Sequence, residues 1–213
     1  MDTRVKICGL SEAQHVGVAV DAGADLTGFV FFERSPRYVT IEQAAALTAR
    51  VPANVRKVAL TVDADDELLS QIVSDAGVDT LQLHGHETPA RVESIREKFG
   101  LDVIKVLPIA TKDDVAAAHA FEPIADMLLF DAKPPKDATR PGGNALRFDW
   151  SLLTGENWSV PWLLAGGLDA DNVGAAIKAT HAPMVDVSSG VEDAPGQKSI
   201  EKIQNFIAAV KQA

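Results

Sequence analysis

Thiols are nearly absent: the 213-residue chain contains one cysteine, Cys8. One thiol permits no disulfide within the chain and no Cys-rich metal site, and it fits a reducing compartment. Long apolar runs are missing too; the longest are of strand length, well short of the roughly 20 residues a membrane span needs. Met1-Asp2-Thr3-Arg4 leads straight into a strand without the apolar core of a secretory signal, so a cytoplasmic location and no membrane contact are expected. Positive charge is scarce. Against 30 acidic residues there are 20 basic ones, a formal net charge of −10, so no nucleic acid is expected as partner. A small anion is still acceptable, because a local ring of backbone N–H groups outweighs a distant net charge. His84 has no second His or acid at ligand spacing, and neither a metal nor a cofactor is expected. No G-x-G-x-x-G run follows the first strand, which speaks against an open dinucleotide-binding sheet.

What is present is a regular alternation of short apolar strands and amphipathic helices. Strands are expected at Arg4–Leu10, Leu26–Phe32, Lys57–Val62, Thr80–His84, Val103–Leu107, Met127–Asp131, Trp162–Ala165 and Met184–Ser188. Helices are expected between and after them, with Thr40 capping one that begins at Ile41 and Gly23 stopping the first. The sixth helix position holds only a short helical turn near Phe148 to Leu153. It follows a long loop from Ala132 to Arg147, and such loops in compact domains are usually functional. Eight βα units in this length predict a small (β/α)8 TIM barrel of eight parallel strands, a single domain over residues 1–213.

In such a barrel the chemistry lies at the carboxyl ends of the strands. Cys8 ends strand one, on the same side as Arg4 and Lys6; a lone buried cysteine is commonly a small hydrophobe, and a reactive thiol is the alternative. Arg34 and Arg37 follow strand two, where a loop arginine either binds a carboxylate or is simply solvated. Gln82 and His84 face the lumen if Leu81 and Leu83 face outward, and a satisfied structural role is the commoner one for His84. Asp131 ends strand six after four apolar residues. Such a carboxyl is either a general acid or a partner of Lys133. Gly166-Gly167 end strand seven, and Asp186, Ser188, Ser189 and Gly190 end strand eight, with Val185 and Val187 on the opposite face. Paired glycines and Ser-Ser-Gly in these loops predict a phosphate site built from backbone N–H groups.

Val5-Lys6-Ile7-Cys8-Gly9, Ser35-Pro36-Arg37-Tyr38, Leu81-Gln82-Leu83-His84-Gly85, Leu129-Phe130-Asp131, Gly142-Gly143, Ala165-Gly166-Gly167-Leu168 and Val185-Asp186-Val187-Ser188-Ser189-Gly190 occur in this order. In that order and spacing the chain resembles the phosphoribosylanthranilate isomerase family of tryptophan biosynthesis over nearly its whole length. The resemblance implies an Amadori rearrangement of N-(5′-phosphoribosyl)anthranilate to 1-(2-carboxyphenylamino)-1-deoxyribulose 5-phosphate. It implies Asp131 as general acid, Cys8 as general base and Arg37 as the contact for the anthranilate carboxylate. Gly143, Gly166, Gly167, Ser188 and Ser189 would bind the phosphate, and Asp186 and Gly190 complete the candidate substrate contacts. The partner so implied is a small phosphosugar, bound by a monomer or homodimer.

An ordinary thiol has a pKa of about 8.5, so a base at Cys8 requires partial ionisation, expected from Lys6 or a polar lumen. Two positions depart from the family pattern. Asn144-Ala145 replaces a small hydroxyl residue and a glycine, and Glu33 stands where proline is common; both bear on loop closure. Alternatives are a lyase using Lys105 or Lys133 as a Schiff-base nucleophile, and a phosphosugar-binding barrel without turnover. A sugar isomerase with paired aspartates would need an acid where Cys8 stands.

Overall fold

Eight parallel strands close into a barrel in chain order, with β1 returning to pair with β8. They are β1 (Arg4–Cys8), β2 (Leu26–Val30), β3 (Arg56–Thr61), β4 (Thr80–Leu83), β5 (Asp102–Ile109), β6 (Met127–Ala132), β7 (Trp162–Leu164) and β8 (Met184–Val187). This is a computed structural model, and it describes residues 3–134, 142 and 147–213. The outer ring holds α1 (Ala13–Ala22), α2 (Ile41–Thr48), α3 (Asp66–Asp75), α4 (Pro89–Phe99), α5 (Lys112–Ala118), α6 (Val173–Thr180) and α7 (Ile200–Lys211). A 3-10 turn at Trp150–Leu153 fills the sixth helix position, as expected.

Strand parity divides the interior into two regions. Ile7, Phe29, Leu81, Leu83, Val185 and Val187 face outward and pack beneath the helices in the larger core. Leu26, Val58, Ile104, Val106, Met127, Leu129, Leu163 and Met184 fill the lower lumen. Above this apolar floor come Lys6, Gln82 and Asp186, all buried. The apolar floor therefore carries a polar layer, and the strand ends open above it.

Helix starts are set locally. Thr40 accepts from the Gln43 N–H while Gln43 answers to the Thr40 N–H, a reciprocal cap worth about 1 kcal/mol. Thr88 caps α4, with Pro89 at the first turn, where its missing N–H costs nothing. Gly23 stops α1 at φ 100°.

Two elements differ from expectation. β5 runs on to Ile109 through Pro108. Its ladder with β4 ends at Lys105, so beyond that point proline forfeits no bond on that side while β6 continues to pair on the other. A small antiparallel hairpin, β9 (Glu192–Ala194) and β10 (Gln197–Lys198), stands between β8 and α7. Its turn is Pro195-Gly196.

Candidate active site

A cleft opens at the carboxyl ends of the strands, lined by residues from nearly every strand end. Cys8, Arg37, Asp131, Gly166, Gly167, Asp186, Ser188 and Ser189 all border it, together with Gln82 and His84. Of the remaining candidates, Gly190 follows in the 3-10 turn after β8, and Gly143 and the Asn144-Ala145 pair lie outside the described residues.

Cys8 ends β1 with its thiol in the lumen against Val30 and Leu60. One turn of the pleat below, the fully buried Lys6 places Nζ 2.7 Å from Asp186 Oδ1. Gly28, the ladder partner of Cys8, leaves the room both need: a methyl there would lie 3.0 Å from Cys8 Sγ and 3.1 Å from Lys6 Nζ. Burial opposes the Lys6 ammonium, but Asp186, with help from Cys8, outweighs it, so Lys6 is held charged. Burial pushes the Cys8 thiol up; Lys6 pulls it down, and Asp186 adds to the rise. Desolvation is the largest influence on the thiol, and the charge of Lys6 works against it.

Asp131 stands on the rim of β6, with Oδ1 accepting from the Ala132 N–H at 2.8 Å. Lys133 does not pair with it; that ammonium meets Asp114 at 3.0 Å. The neighbour of Asp131 is His84, whose Nε2 lies 3.5 Å from Oδ2, too long and misaligned for a hydrogen bond. His84 Nδ1 is 3.4 Å from the Gln82 amide nitrogen. The buried Nε2 of His84 makes no hydrogen bond among the described residues, and Asp131 is its ion-pair neighbour. Gly142 closes over the pair so tightly that a Cβ would fall 2.6 Å from the His84 ring and 2.9 Å from Asp131. Strand parity already put His84 in the lumen; what its pattern could not convey was the adjacency to Asp131.

Arg37 is buried, whereas Arg34 is exposed. Its Nε and Nη2 donate to Glu192 Oε1 and Oε2 at 2.6 and 2.8 Å. Glu192 also accepts from Lys198 Nζ at 2.7 Å, and Lys198 reaches the Ser188 carbonyl at 2.8 Å. The edge of the guanidinium that carries Nε and Nη2 is thus spent on Glu192. Burial would raise the Glu192 carboxyl, but the bonds from Arg37 and the charge of Lys198 outweigh it and hold it low. Burial in turn depresses Lys198, with Glu192 opposing. Glu192 follows directly on the Ser188-Ser189-Gly190 stretch, whereas Lys198 did not stand out in the sequence.

On the opposite rim, Gly166 and Gly167 adopt φ of 87° and 63°, a left-handed pair that turns successive N–H groups the same way. Among the described residues, the N–H groups of Gly166, Gly167, Ser189 and Gly190 donate no hydrogen bond. Four unspent donors around one corner suit a phosphate. The lysines of the lyase alternative are elsewhere. Lys105 points outward to Glu87 at 2.6 Å, and Lys133 is bound to Asp114. Among the described residues no group of three His, Cys, Asp or Glu could hold a metal ion, and no helix is long and apolar enough to cross a membrane.

Residues 5–209 match the family described as N-(5′phosphoribosyl)anthranilate (PRA) isomerase. An N-(5′-phosphoribosyl)anthranilate isomerase from Paracoccus denitrificans is 54% identical over 208 residues, covering 98% of this chain and 97% of its own. One from Paramagnetospirillum magneticum is 52% identical over 211 residues, covering 99% and 98%. The crystal structure of phosphoribosyl anthranilate isomerase from Thermotoga maritima superposes with a TM-score of 0.89 at 33% identity, over 99% of this chain and 100% of that one.

Proposed function

We propose that this chain, which belongs to the N-(5′-phosphoribosyl)anthranilate isomerase family, performs its aldose–ketose isomerisation with Cys8 as general base and Asp131 as general acid. The reaction is the Amadori rearrangement of N-(5′-phosphoribosyl)anthranilate to 1-(2-carboxyphenylamino)-1-deoxyribulose 5-phosphate. Asp131, in its protonated form, donates to the furanose ring oxygen. The C1′–O bond breaks as the anilino nitrogen supplies its electron pair, leaving an iminium. That cation acidifies the C2′ proton, which the Cys8 thiolate removes, and the C2′–H electrons form the C1′=C2′ bond of an enolamine. Reprotonation at C1′ and loss of the C2′ hydroxyl proton give the ketone. An acid and a base of this kind each contribute about 10²–10⁴-fold.

The phosphate is assigned to the N–H groups of Gly166, Gly167, Ser189 and Gly190, and the anthranilate carboxylate to Arg37. Ser188 and Asp186 border the same cleft, and Asp186 is assigned to the ribose hydroxyls. A phosphosugar fits this division of the rim into an anion corner and a carboxylate clamp. The observation that carries the reading is the cleft itself, which brings the Cys8 thiol and the Asp131 carboxyl from different strands together beside both anion sites. A solved relative holds reduced 1-(o-carboxyphenylamino)-1-deoxyribulose 5-phosphate. That ligand has the same phosphate and carboxylate ends.

The test is direct conversion of the fluorescent anthranilate substrate by the full chain, followed by fluorescence and by product mass. The expected result is enzyme-dependent fluorescence loss with a product of unchanged mass. Release of free anthranilate, or no conversion, would overturn the assignment.

A further inference from the structure

We propose that Lys6 and Asp186 act on Cys8 as opposed charges, Lys6 drawing its thiol toward thiolate and Asp186 holding it back. The proposal rests on Cys8 being the base.

A fully buried lysine needs a reason. Taking an ammonium and a carboxylate out of water costs several kcal/mol per ion, and a well-packed apolar pair is often at least as stable. The lumen just beneath is filled with Leu26, Val58 and Met184, so an apolar side chain at position 6 would continue an existing floor. Instead the ammonium is fully buried on the same face of β1 as Cys8, and Nζ and Sγ converge on the space above Gly28. At that range, in a site shielded from water, a fixed positive charge favours the thiolate strongly. Asp186 shares the charge, at 2.7 Å from Nζ, and repels a second anion beside it.

The other charged groups around the thiol are arranged differently. Lys198, from β10, also favours the thiolate, but it is bound to Glu192. Arg37 reaches the thiol's loop behind Gly9 and is likewise engaged by Glu192. Asp131 and His84 line the cleft from β6 and β4. Among the described residues, Lys6 is therefore the cation whose one carboxylate partner, Asp186, itself borders the cleft. Lys6 is a positioning residue; the reacting bond is broken at Cys8.

Because Cys8 is the only cysteine, alkylation by iodoacetamide reports on one thiol without ambiguity. The pH midpoint of its modification rate is measured for wild type, Lys6→Met and Asp186→Asn. Lys6→Met is expected to raise the midpoint by at least about one unit and Asp186→Asn to lower it by a similar amount. The acid limb of kcat/KM should move in the same directions. The double variant Lys6→Met/Asp186→Asn removes both charges at once and leaves no unpaired buried ion. It keeps the test available should a single variant unfold, and its midpoint is expected above wild type. Midpoints within about 0.3 unit of wild type, or shifting together in the single variants, would overturn the proposal and leave the pair a packing feature. If Cys8→Ala kept full turnover, the base assignment would fail while these midpoints still answered the question about Lys6.

Discussion

Replacing Glu192 by glutamine changes one charge and almost no volume, at the point where the substrate clamp is held. Arg37 and Glu192 are both nearly inaccessible, joined by bonds of 2.6 and 2.8 Å, and Lys198 adds a third at 2.7 Å. With glutamine, two buried cations would share one neutral amide. Breaking a buried pair outright costs about 3–5 kcal/mol. Because the amide oxygen still accepts one of the bonds, a loss of about 2–3 kcal/mol is expected. In a chain of this size each kcal/mol moves Tm by about 2–4 °C, so Tm should fall by about 4–12 °C. Thermal unfolding reads this, and steady-state kinetics should show KM rising by about tenfold or more, with kcat within a few-fold. The pH dependence has a definite sign. Folding lowers the Glu192 pKa, so its stabilisation is complete above the unfolded value of about 4.3 and is lost as pH falls through the folded value. The wild type should lose that increment on acidification below about pH 4, and Glu192→Gln should lack it. A Tm within about 1 °C of wild type with unchanged KM would refute the idea that Glu192 holds Arg37.

Three further outcomes follow from the same geometry. Arg37→Ala should raise KM for the anthranilate substrate by about 10²-fold, whereas Arg34→Ala, at an exposed position, should leave kinetics within about two-fold. Gly28→Ala puts a methyl 3.0 Å from Cys8 Sγ; it should cost about 1–3 kcal/mol by denaturant unfolding and lower kcat by up to about 10²-fold through displacement of the thiol. Gly166→Ala places a side chain at φ 87° and 2.9 Å from the Ala132 nitrogen, so both KM and the inhibition constant of inorganic phosphate should rise while the pH profile of kcat stays where it was.

The barrel was legible because its strands and helices announce themselves over windows of five to ten residues. Alternation in Leu81-Gln82-Leu83 and Val185-Asp186-Val187 already assigned inner and outer faces, and the outer core agrees. Cys8 and Asp131 were visible as the polar ends of apolar strands. What escaped was whatever depends on contacts between distant segments. Arg37 and Glu192 are 155 residues apart, and Lys6 and Asp186 are 180 apart. No local pattern distinguishes a clamped arginine from a solvated one. The balance at Cys8 was hidden for a related reason: a neighbouring lysine can be read from spacing, but the desolvation that opposes it appears only when the lumen is closed. His84 was visible as a lumen residue, yet its proximity to Asp131 is a fact of two strands that are not neighbours in the chain.

The division of labour between Cys8 and Asp131 is tested most directly by single-turnover conversion of the fluorescent anthranilate substrate with Cys8→Ala and Asp131→Asn, each also titrated with the reduced product analogue. Both variants should bind the analogue within a few-fold of wild type while turnover falls by at least about 10²-fold in each. Near-normal turnover in either variant would contradict the role assigned to that residue.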